Sequence, residues 1–219
     1  MRKVRRLMSL GLMLGALLAA PAQGEQPTVG EGDYLVLAIS WTPSWCALEG
    51  AARGAARCAD GAGAGWMVHG LWPQFEAGDW PEFCDSPHPA PARRLLREMR
   101  DIMGSDGLAG HQWRKHGSCS GQSPGAYFAQ TRAAFEALHF PPTLTPDDAM
   151  LHTRPDALLE AFRAANPGLQ ADMAVLTCRA GLAQEIRICL TQALAPRPCD
   201  ARLRARACGA REVRLPPPP

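Results

Sequence analysis

Eight cysteines limit the folds available to this chain more than any other feature of its sequence. An even number of cysteines in an exported chain predicts four disulfides. No C-x-x-C pair occurs, so the spacing argues against a zinc site. Spacing alone leaves on the order of a hundred possible pairings open. The cysteines are Cys46, Cys58, Cys84, Cys119, Cys178, Cys189, Cys199 and Cys208.

The first 22 residues predict export. Residues 1–6 hold four basic side chains, residues 7–19 are almost wholly apolar, and an A-x-A cleavage pattern follows at residues 20–22. These are the three parts of a secretory signal peptide. The apolar run is shorter than the roughly 20 residues of a membrane helix. We therefore expect residues 1–22 to be a signal peptide and the mature chain to be periplasmic or secreted, with no membrane partner.

The charge of the mature chain excludes one class of nucleic-acid-binding protein. After the signal peptide, 19 basic residues face 21 acidic ones. A protein that coats nucleic acid through a general basic field needs many cations to neutralise phosphates. Any nucleic-acid chemistry must therefore lie in a local site. Asn166 is the only asparagine and Pro167 follows it, so no N-glycosylation sequon exists, which favours a bacterial source.

The pattern of apolar residues predicts an α+β fold in one domain. We expect residues 23–33 to be a flexible lead-in, residues 34–210 the domain, and residues 211–219 a Pro-rich tail that is disordered at its end. Strands come first, helices in the middle and strands again, which is typical of the α+β class. The predicted strands are 34–40, 66–71 (stopped by Pro73), 173–177 and 185–190, and the predicted helices are 92–103, 110–118, 123–138 and 156–165.

Three of the six histidines fall in two short segments, WMVHGLWPQ (66–74) and HQWRKHGSC (111–119). If residues 110–118 are helical, His111 and Lys115 are i,i+4 neighbours, as are Gln112 and His116. All four then lie within an arc of about 140° on one helix face.

Lys115 is the only lysine of the mature chain, in which every other cation apart from histidine is arginine. An ammonium group is a compact charge that can be aimed at one oxygen. The sequence therefore singles out this position, although one lysine could also stand anywhere by chance.

Simpler interpretations exist for each of these residues. A histidine near a tryptophan is more often a packed core residue than a catalyst. A surface helix with His, Lys and Gln is usually only a solvated face. The i,i+5 spacing of His111 and His116 is poor for a metal, and no acidic partner lies nearby in the sequence. The occurrence of both segments in one chain is what favours a catalytic site.

HGLWP at 69–73 and KHGSC at 115–119 resemble the two active-site signatures of the RNase T2 family of secreted endoribonucleases. Residues 34–46 resemble the first strand of that family and its W-x-P-x-x-C ending, and residues 185–189 match E-I-x-I-C. The similarity covers most of residues 34–208. It implies an α+β fold with a central antiparallel sheet flanked by helices, and the disulfides Cys46–Cys58, Cys84–Cys119, Cys178–Cys208 and Cys189–Cys199.

The resemblance also implies an activity. Single-stranded RNA would be cut by attack of the ribose 2′-hydroxyl on phosphorus, which leaves a 2′,3′-cyclic phosphate. His116 would be the base, His69 the acid, and Lys115 the group that stabilises the charged transition state. Histidine suits both proton-transfer roles near neutrality. No metal and no cofactor is expected.

The remaining residues of the two segments would bind substrate. His111 would hold the phosphate, Trp72 would stack on a base, and Gln74 would contact the base edge. Stacking tolerates any base, so we expect a broad base preference. The expected partner is RNA rather than DNA, because the attacking 2′-hydroxyl is absent from DNA. We expect a monomer.

Two departures from the family pattern affect these expectations. Gln112 stands where the family usually has Glu; we expect it to orient the phosphate and to alter the pH profile. Residues 40–43 are Ser-Trp-Thr-Pro where the family often has Gln-Trp-Pro-Pro, which leaves a second base site open. The main alternative is an RNA-binding or surface-binding module that no longer cuts, and a second is a metal-dependent phosphodiesterase.

Overall fold

The computed structural model describes residue 30, residues 32–76 and residues 78–219. The expected signal peptide and most of the expected lead-in lie outside the described residues. Among the residues that the structure describes, no helix combines the length and the apolar character needed to cross a membrane.

A six-stranded sheet forms the centre of the domain, in the order β2–β1–β5–β6–β3, with β4 also pairing with β5. The pairs are antiparallel, as expected of the central sheet, except for β5 and β6, which run parallel where Leu182 pairs with Arg214. The α+β class is confirmed. The strands are β1 (Tyr34–Trp41), β2 (Trp66–Gln74), β3 (Leu151–Thr153), β4 (Ala174–Arg179), β5 (Leu182–Leu190) and β6 (Val213–Leu215).

The helices cover mainly one face of this sheet. They are α1 (Thr42–Trp45), α2 (Arg93–Glu98), α3 (Arg100–Met103), α4 (Asp106–Lys115), α5 (Pro124–Glu136), α6 (Pro155–Ala165) and α7 (Ala201–Ala205). Strand β1 lies at the centre because its apolar run can be buried on both faces. Leu35, Leu37 and Ile39 belong to the main core, whereas Tyr34 and Val36 pack on the other face in a smaller apolar cluster.

Strand β2 continues through Pro73, where the sequence had predicted its end. Pro73 lacks a backbone N–H group, but β2 is an edge strand that, within the described part of the chain, pairs only with β1, and an edge strand tolerates proline. The consequence is that Trp72 and Gln74 lie on the sheet rather than in a loop.

The predicted helix 92–103 is two helices, α2 and α3, separated at Met99. The carbonyl of Glu98 accepts a hydrogen bond of 2.7 Å from Arg132 Nη2 at this break. Helix α3 ends at Gly104 as predicted, with a φ of 78° that favours glycine. Helix α4 begins at Asp106, four residues before the predicted start, because the side chain of Ser105 caps it by accepting from Leu108 N.

The structure contains four disulfides with the pairing that the family resemblance implied. Their Cα–Cα distances lie between 5.0 and 5.4 Å. The first bridge encloses the loop after α1, the second joins the end of α4 to residue 84, and the last two hold the C-terminal segment on the sheet. The pairs are Cys46–Cys58, Cys84–Cys119, Cys178–Cys208 and Cys189–Cys199.

The C-terminal segment is part of the fold, so the expectation of a disordered tail was wrong. Val213 and Leu215 of β6 are fully buried. Trp41 Nε1 donates a hydrogen bond of 2.8 Å to the carbonyl of Pro216, and the carbonyl of Pro219 accepts one of 3.0 Å from Gly61 N. A proline run has no backbone donors to satisfy, and its carbonyls here accept bonds from the domain.

Deletion of residues 216–219 should destabilise the protein by about 1–3 kcal/mol, because the buried Trp41 Nε1 donor would lose its acceptor. Deletion of Pro219 alone removes only a bond at a loop, and should cost roughly 0.5 kcal/mol or less. Denaturant unfolding of the two variants measures the difference. Equal midpoints for the four-residue deletion and the full chain would contradict the docking of the tail.

Candidate active site

The two histidine segments meet in one cleft of about 260 Å³. Strand β2 and helix α4 supply its floor and one wall, and every site residue predicted from the sequence lines it. These residues are His69, Trp72, Gln74, His111, Gln112, Lys115 and His116.

His69 is placed by an irregularity of the sheet. Gly70 pairs with Ala38 and Val68 pairs with Ile39, so His69 is the extra residue of a β-bulge. Bulges redirect side chains and occur next to active sites. The neighbouring glycine is required by packing, because a Cβ at Gly70 would lie 2.0 Å from Gln112 Oε1.

The imidazole of His69 is held by a buried carboxylate. Its Nδ1 lies 2.5 Å from Glu185 Oε1 on β5. Arg187 donates two hydrogen bonds, of 2.7 and 2.9 Å, to the other carboxylate oxygen. Ser40 Oγ donates to Oε1 at 3.2 Å. Glu185 is therefore fixed by three neighbours and leaves Nε2 of His69 available to a substrate.

Glu185 is ionised in this setting. The residue is only 8% exposed, and burial by itself would raise its pKa. The hydrogen bond and charge of His69, together with the charge of Arg187, outweigh burial and lower the pKa of Glu185 to about 2. A negative charge thus stands behind His69 throughout the physiological pH range.

His116 has the opposite environment. It lies one residue beyond the end of α4, with a φ of −122°, and is 5% exposed. Among the described residues its Nδ1 has no hydrogen-bond partner, and its ring centroid lies 5.3 Å from that of Trp72. Burial, followed by the charge of Lys115, lowers the pKa of His116 to about 3. Its imidazole is therefore neutral near neutral pH.

Lys115 is not free in the cleft, which the sequence did not predict. Its Nζ lies 3.2 Å from Glu82 Oε2, and the same oxygen accepts a bond of 3.1 Å from Trp80 Nε1. These two contacts lower the pKa of Glu82. The backbone is also tied there, since Phe83 N donates to the carbonyl of Lys115 at 2.8 Å.

His111 lies at the rim of the cleft, one helical turn before Lys115. Its ring is exposed and meets the Phe83 ring edge-on, with the centroids 6.4 Å apart. Partial loss of water, followed by the charges of Arg114 and Lys115, lowers the pKa of His111. The disulfide between Cys84 and Cys119 lies beside these contacts and holds the rim to the end of α4.

Gln112 bridges the two segments. It is 2% exposed, and its Oε1 accepts a hydrogen bond of 2.8 Å from Trp72 Nε1. The side-chain oxygen of Gln112 therefore accepts a hydrogen bond within the protein, and its side-chain NH2 group remains available to donate to a phosphate. The Trp72 ring has His69 and His116 on its flanks and the Arg187 guanidinium 5.2 Å from its centroid.

Four residues of the site escaped the sequence analysis: Glu185, Arg187, Trp80 and Glu82. A signal for the first existed, because a glutamate on an otherwise apolar central strand is rarely buried without a partner. Glu185 and Arg187 alternate with Ile186 and Ile188, so the two charges share one face of β5. No comparable pattern marks Trp80 or Glu82, which lie in a loop.

A second cleft lies beyond His69. It shares His69 with the first, and Ser40, Arg57, Arg179 and Glu185 are among its other lining residues. His69 therefore lies between the two clefts and lines both of them.

The model of the Ribonuclease T2 family matches residues 32–199 of this chain. A protein described as a probable ribonuclease of Haemophilus influenzae is 36% identical over 120 residues, which are 50% of this chain and 44% of that protein. A ribonuclease of Aeromonas hydrophila is 38% identical over 118 residues, 51% of this chain and 50% of that protein. The chain spans about half the length of these relatives.

Solved structures support the fold. An RNase-related protein from Calystegia sepium has a TM-score of 0.65 at 20% identity, and the match covers 85% of this chain and 98% of that one. Trichomaglin, described as an S-like ribonuclease, has a TM-score of 0.66 at 22% identity, with 86% of this chain and all of the other covered. At these identities the likeness concerns the fold.

Proposed function

Since this chain belongs to the ribonuclease T2 family, we propose that it is an exported endoribonuclease that cleaves single-stranded RNA through a 2′,3′-cyclic phosphate. The substrate offers both groups that the reaction needs, a 2′-hydroxyl nucleophile and an adjacent phosphodiester. The reaction requires one base, one acid and positive charge near the phosphate. Each of these requirements has a candidate side chain in the first cleft.

One observation carries the proposal: two histidines face the same cleft in opposite electrostatic environments. His116 is buried, without a hydrogen-bond partner for Nδ1 among the described residues, and neutral, so it can accept a proton. His69 has an ionised carboxylate on Nδ1, which fixes the orientation of the ring and sets a negative charge beside it. Environments that separate two titratable groups in this way assign the base and the acid.

The chemistry follows from these assignments. His116 takes the proton from the 2′-hydroxyl as its oxygen bonds to phosphorus. The bond from phosphorus to the 5′-oxygen breaks, and His69 delivers its proton to that leaving oxygen. The products are a 2′,3′-cyclic phosphate and a free 5′-hydroxyl. When water opens the cyclic phosphate, the two histidines exchange roles.

Lys115 would supply the positive charge near the phosphate, and His111 would bind the phosphate. Negative charge on the non-bridging oxygens grows in the transition state, and an ammonium group near them stabilises it. Lys115 must leave Glu82, at 3.2 Å, or share its ammonium between Glu82 and the phosphate. His111 at the rim and the Gln112 amide are placed to hold the ground-state phosphate.

The nucleobase next to the attacking ribose would lie over Trp72, with Gln74 at its edge. Both line the cleft, and Trp80 offers a second aromatic ring there. Stacking on such rings contributes about 1–3 kcal/mol per base and tolerates any base. We therefore propose a broad base preference, and we infer export from the leading signal sequence and the four disulfides.

Digestion of a short oligoribonucleotide by the oxidised protein tests this function. A catalyst at substoichiometric concentration converts all the substrate, whereas a binding module retains it intact in a stoichiometric complex. Complete conversion supports the proposal. Binding without any conversion between pH 4 and pH 8 would replace it with the RNA-binding module.

Gln112→Glu should move the acid limb of the kcat/KM profile to higher pH by about one unit. The new carboxylate keeps the bond from Trp72, and its negative charge favours the protonated form of His116, so the pKa of His116 rises and the base is lost at a higher pH. Profiles from pH 3 to pH 8 measure the shift. Gln170→Glu makes the same change at an exposed position and should leave the profile in place. Overlay of the Gln112→Glu and parent curves would remove the electrostatic role assigned to this position.

A further inference from the structure

The C-terminal segment carries an excess of positive charge, only part of which the fold engages: Arg197 pairs with Glu76 at 2.6 Å, and Arg214 donates to the carbonyl of Ala180. Residues 197–214 hold six arginines and two acids, whereas residues 23–196 hold 13 basic and 19 acidic residues. The segment therefore has a net positive charge, whereas the rest of the mature chain has a net negative charge. Like-charged arginines repel, so the segment is costly to the free protein unless an anion meets it.

Two of these arginines line the first cleft. Arg202 lies in α7 and Arg206 is the residue directly after it, and both line the cleft that holds His116. The guanidinium of Arg206 lies 5.3 Å from the ring centroid of Trp80. Arg204 and Arg211 belong to the same segment and are exposed, but neither lines the cleft.

The cleft arginines are weakly engaged. Among the described residues, Arg206 forms no ion pair. Arg202 lies 3.4 Å from Asp79, but the two side chains are 66% and 90% exposed, and a pair of that kind contributes little. Both guanidinium groups can therefore exchange their present contacts for a phosphate without a large loss.

The segment that carries them is rigid. Asp200 caps α7 by accepting from Leu203 N at 2.8 Å, and it also accepts a hydrogen bond from the hydroxyl of Tyr34. Leu203 is buried. Disulfides at Cys199 and Cys208 flank the helix on both sides. A cation on an ordered element loses less entropy on binding than one on a mobile tail.

We propose that Arg202 and Arg206 bind the phosphates of RNA on the 5′ side of the cleaved bond. The direction rests on the proposed function. His69 protonates the leaving 5′-oxygen, so the departing nucleotide lies toward the second cleft, beyond His69. The chain on the attacking side then runs past Trp72 and Trp80 to α7. The enzyme accordingly recognises a stretch of RNA longer than the two nucleotides at the reaction centre.

Chimeric substrates with a single ribonucleotide test this proposal, because each has only one cleavable bond. Three are compared: a dinucleotide, the same unit extended by three deoxynucleotides at its 5′ end, and the same extended at its 3′ end. The variant Arg202→Gln with Arg206→Gln should lose about tenfold in kcat/KM on the 5′-extended substrate and less than about twofold on the others. Its salt slope on that substrate should fall by about 1.4, or 0.7 for each phosphate contact.

A charge-matched control comes from the same segment. Arg204→Gln with Arg211→Gln removes two charges outside the cleft and should leave all three substrates within about twofold. Equal losses for the two double variants, or equal losses on all substrates, would overturn the proposal. Affinity for an uncleavable 2′-methoxy oligomer gives the same comparison without turnover. The binding comparison therefore tests this inference even if the protein does not cleave RNA. Cleavage of the dinucleotide tests the proposed function by itself.

Discussion

His116→Ala is expected to lower kcat/KM for RNA cleavage by about 10³-fold, within the range for removal of a general base. Among the described residues His116 is a histidine of the cleft without a carboxylate partner, and its lowered pKa keeps it in the proton-accepting form. His111, whose pKa is also lowered, lies at the rim, whereas the His116 ring lies 5.3 Å from that of Trp72. The loss should appear mainly in kcat, because the phosphate contacts of Lys115 and His111 remain.

Two controls separate catalysis from folding for this variant. His152→Ala removes an exposed histidine whose Nδ1 lies 2.9 Å from Glu212, far from the cleft residues in the sheet order, and should keep activity within about twofold. Thermal unfolding of His116→Ala shows whether the buried cavity left by the ring weakens the fold. A folded His116→Ala that retains a tenth or more of the parent kcat would contradict the role of His116 as base.

Glu185→Gln is expected to lower kcat by about 10²-fold while leaving KM nearly unchanged. The amide is close in shape to the carboxylate and can still accept from His69 Nδ1, but it lacks the negative charge that faces the ring. Glu185 does not line the first cleft, so on this account it is a positioning residue that acts through His69. The alkaline limb of the kcat/KM profile should therefore move to lower pH, which a purely structural role would not cause.

The same substitution has a consequence for stability. The pKa of Glu185 is lowered to about 2 in the folded protein, so its contribution is present above the ordinary carboxyl range near pH 4.5 and is lost as the pH falls toward 2. Acid unfolding of Glu185→Gln between these values should be less steep than that of the parent. Glu160→Gln in α6 is a matched control on the surface. An unshifted alkaline limb in folded Glu185→Gln would remove the coupling to His69.

Much of the fold could be predicted because several elements depend only on residues that are close together in the sequence. The apolar run of β1, the cap at Ser123 before α5 and the stop at Gly104 are each determined by a few neighbouring residues, and the structure agrees with them. The disulfide pairing needed the family resemblance, because spacing could not distinguish the alternatives. The seven predicted site residues belong to the two segments 66–74 and 111–119, which resemble the family signatures. The structure brings both segments to one cleft.

The remainder depended on contacts between residues distant in sequence. Strand β6 pairs with β3 across some 60 residues, and Trp41 bonds to the proline tail. No pattern of neighbouring residues could therefore predict that the C-terminal segment is ordered. The pairing of Lys115 with Glu82 and of His69 with Glu185 spans 33 and 116 residues. Such pairs influence protonation states, which is why the sequence identified the candidate catalytic groups more readily than their electrostatic surroundings.

The measurement that tests the central claim most directly is the mass of the products from two matched oligomers, digested with EDTA present. One oligomer has a single ribonucleotide among deoxynucleotides, and the other has deoxyribose at that position too. We predict a fragment ending in a 2′,3′-cyclic phosphate from the first oligomer and no cleavage of the second. Cleavage of the all-deoxy oligomer, or loss of all cleavage on addition of EDTA, would contradict a metal-free reaction that uses the 2′-hydroxyl.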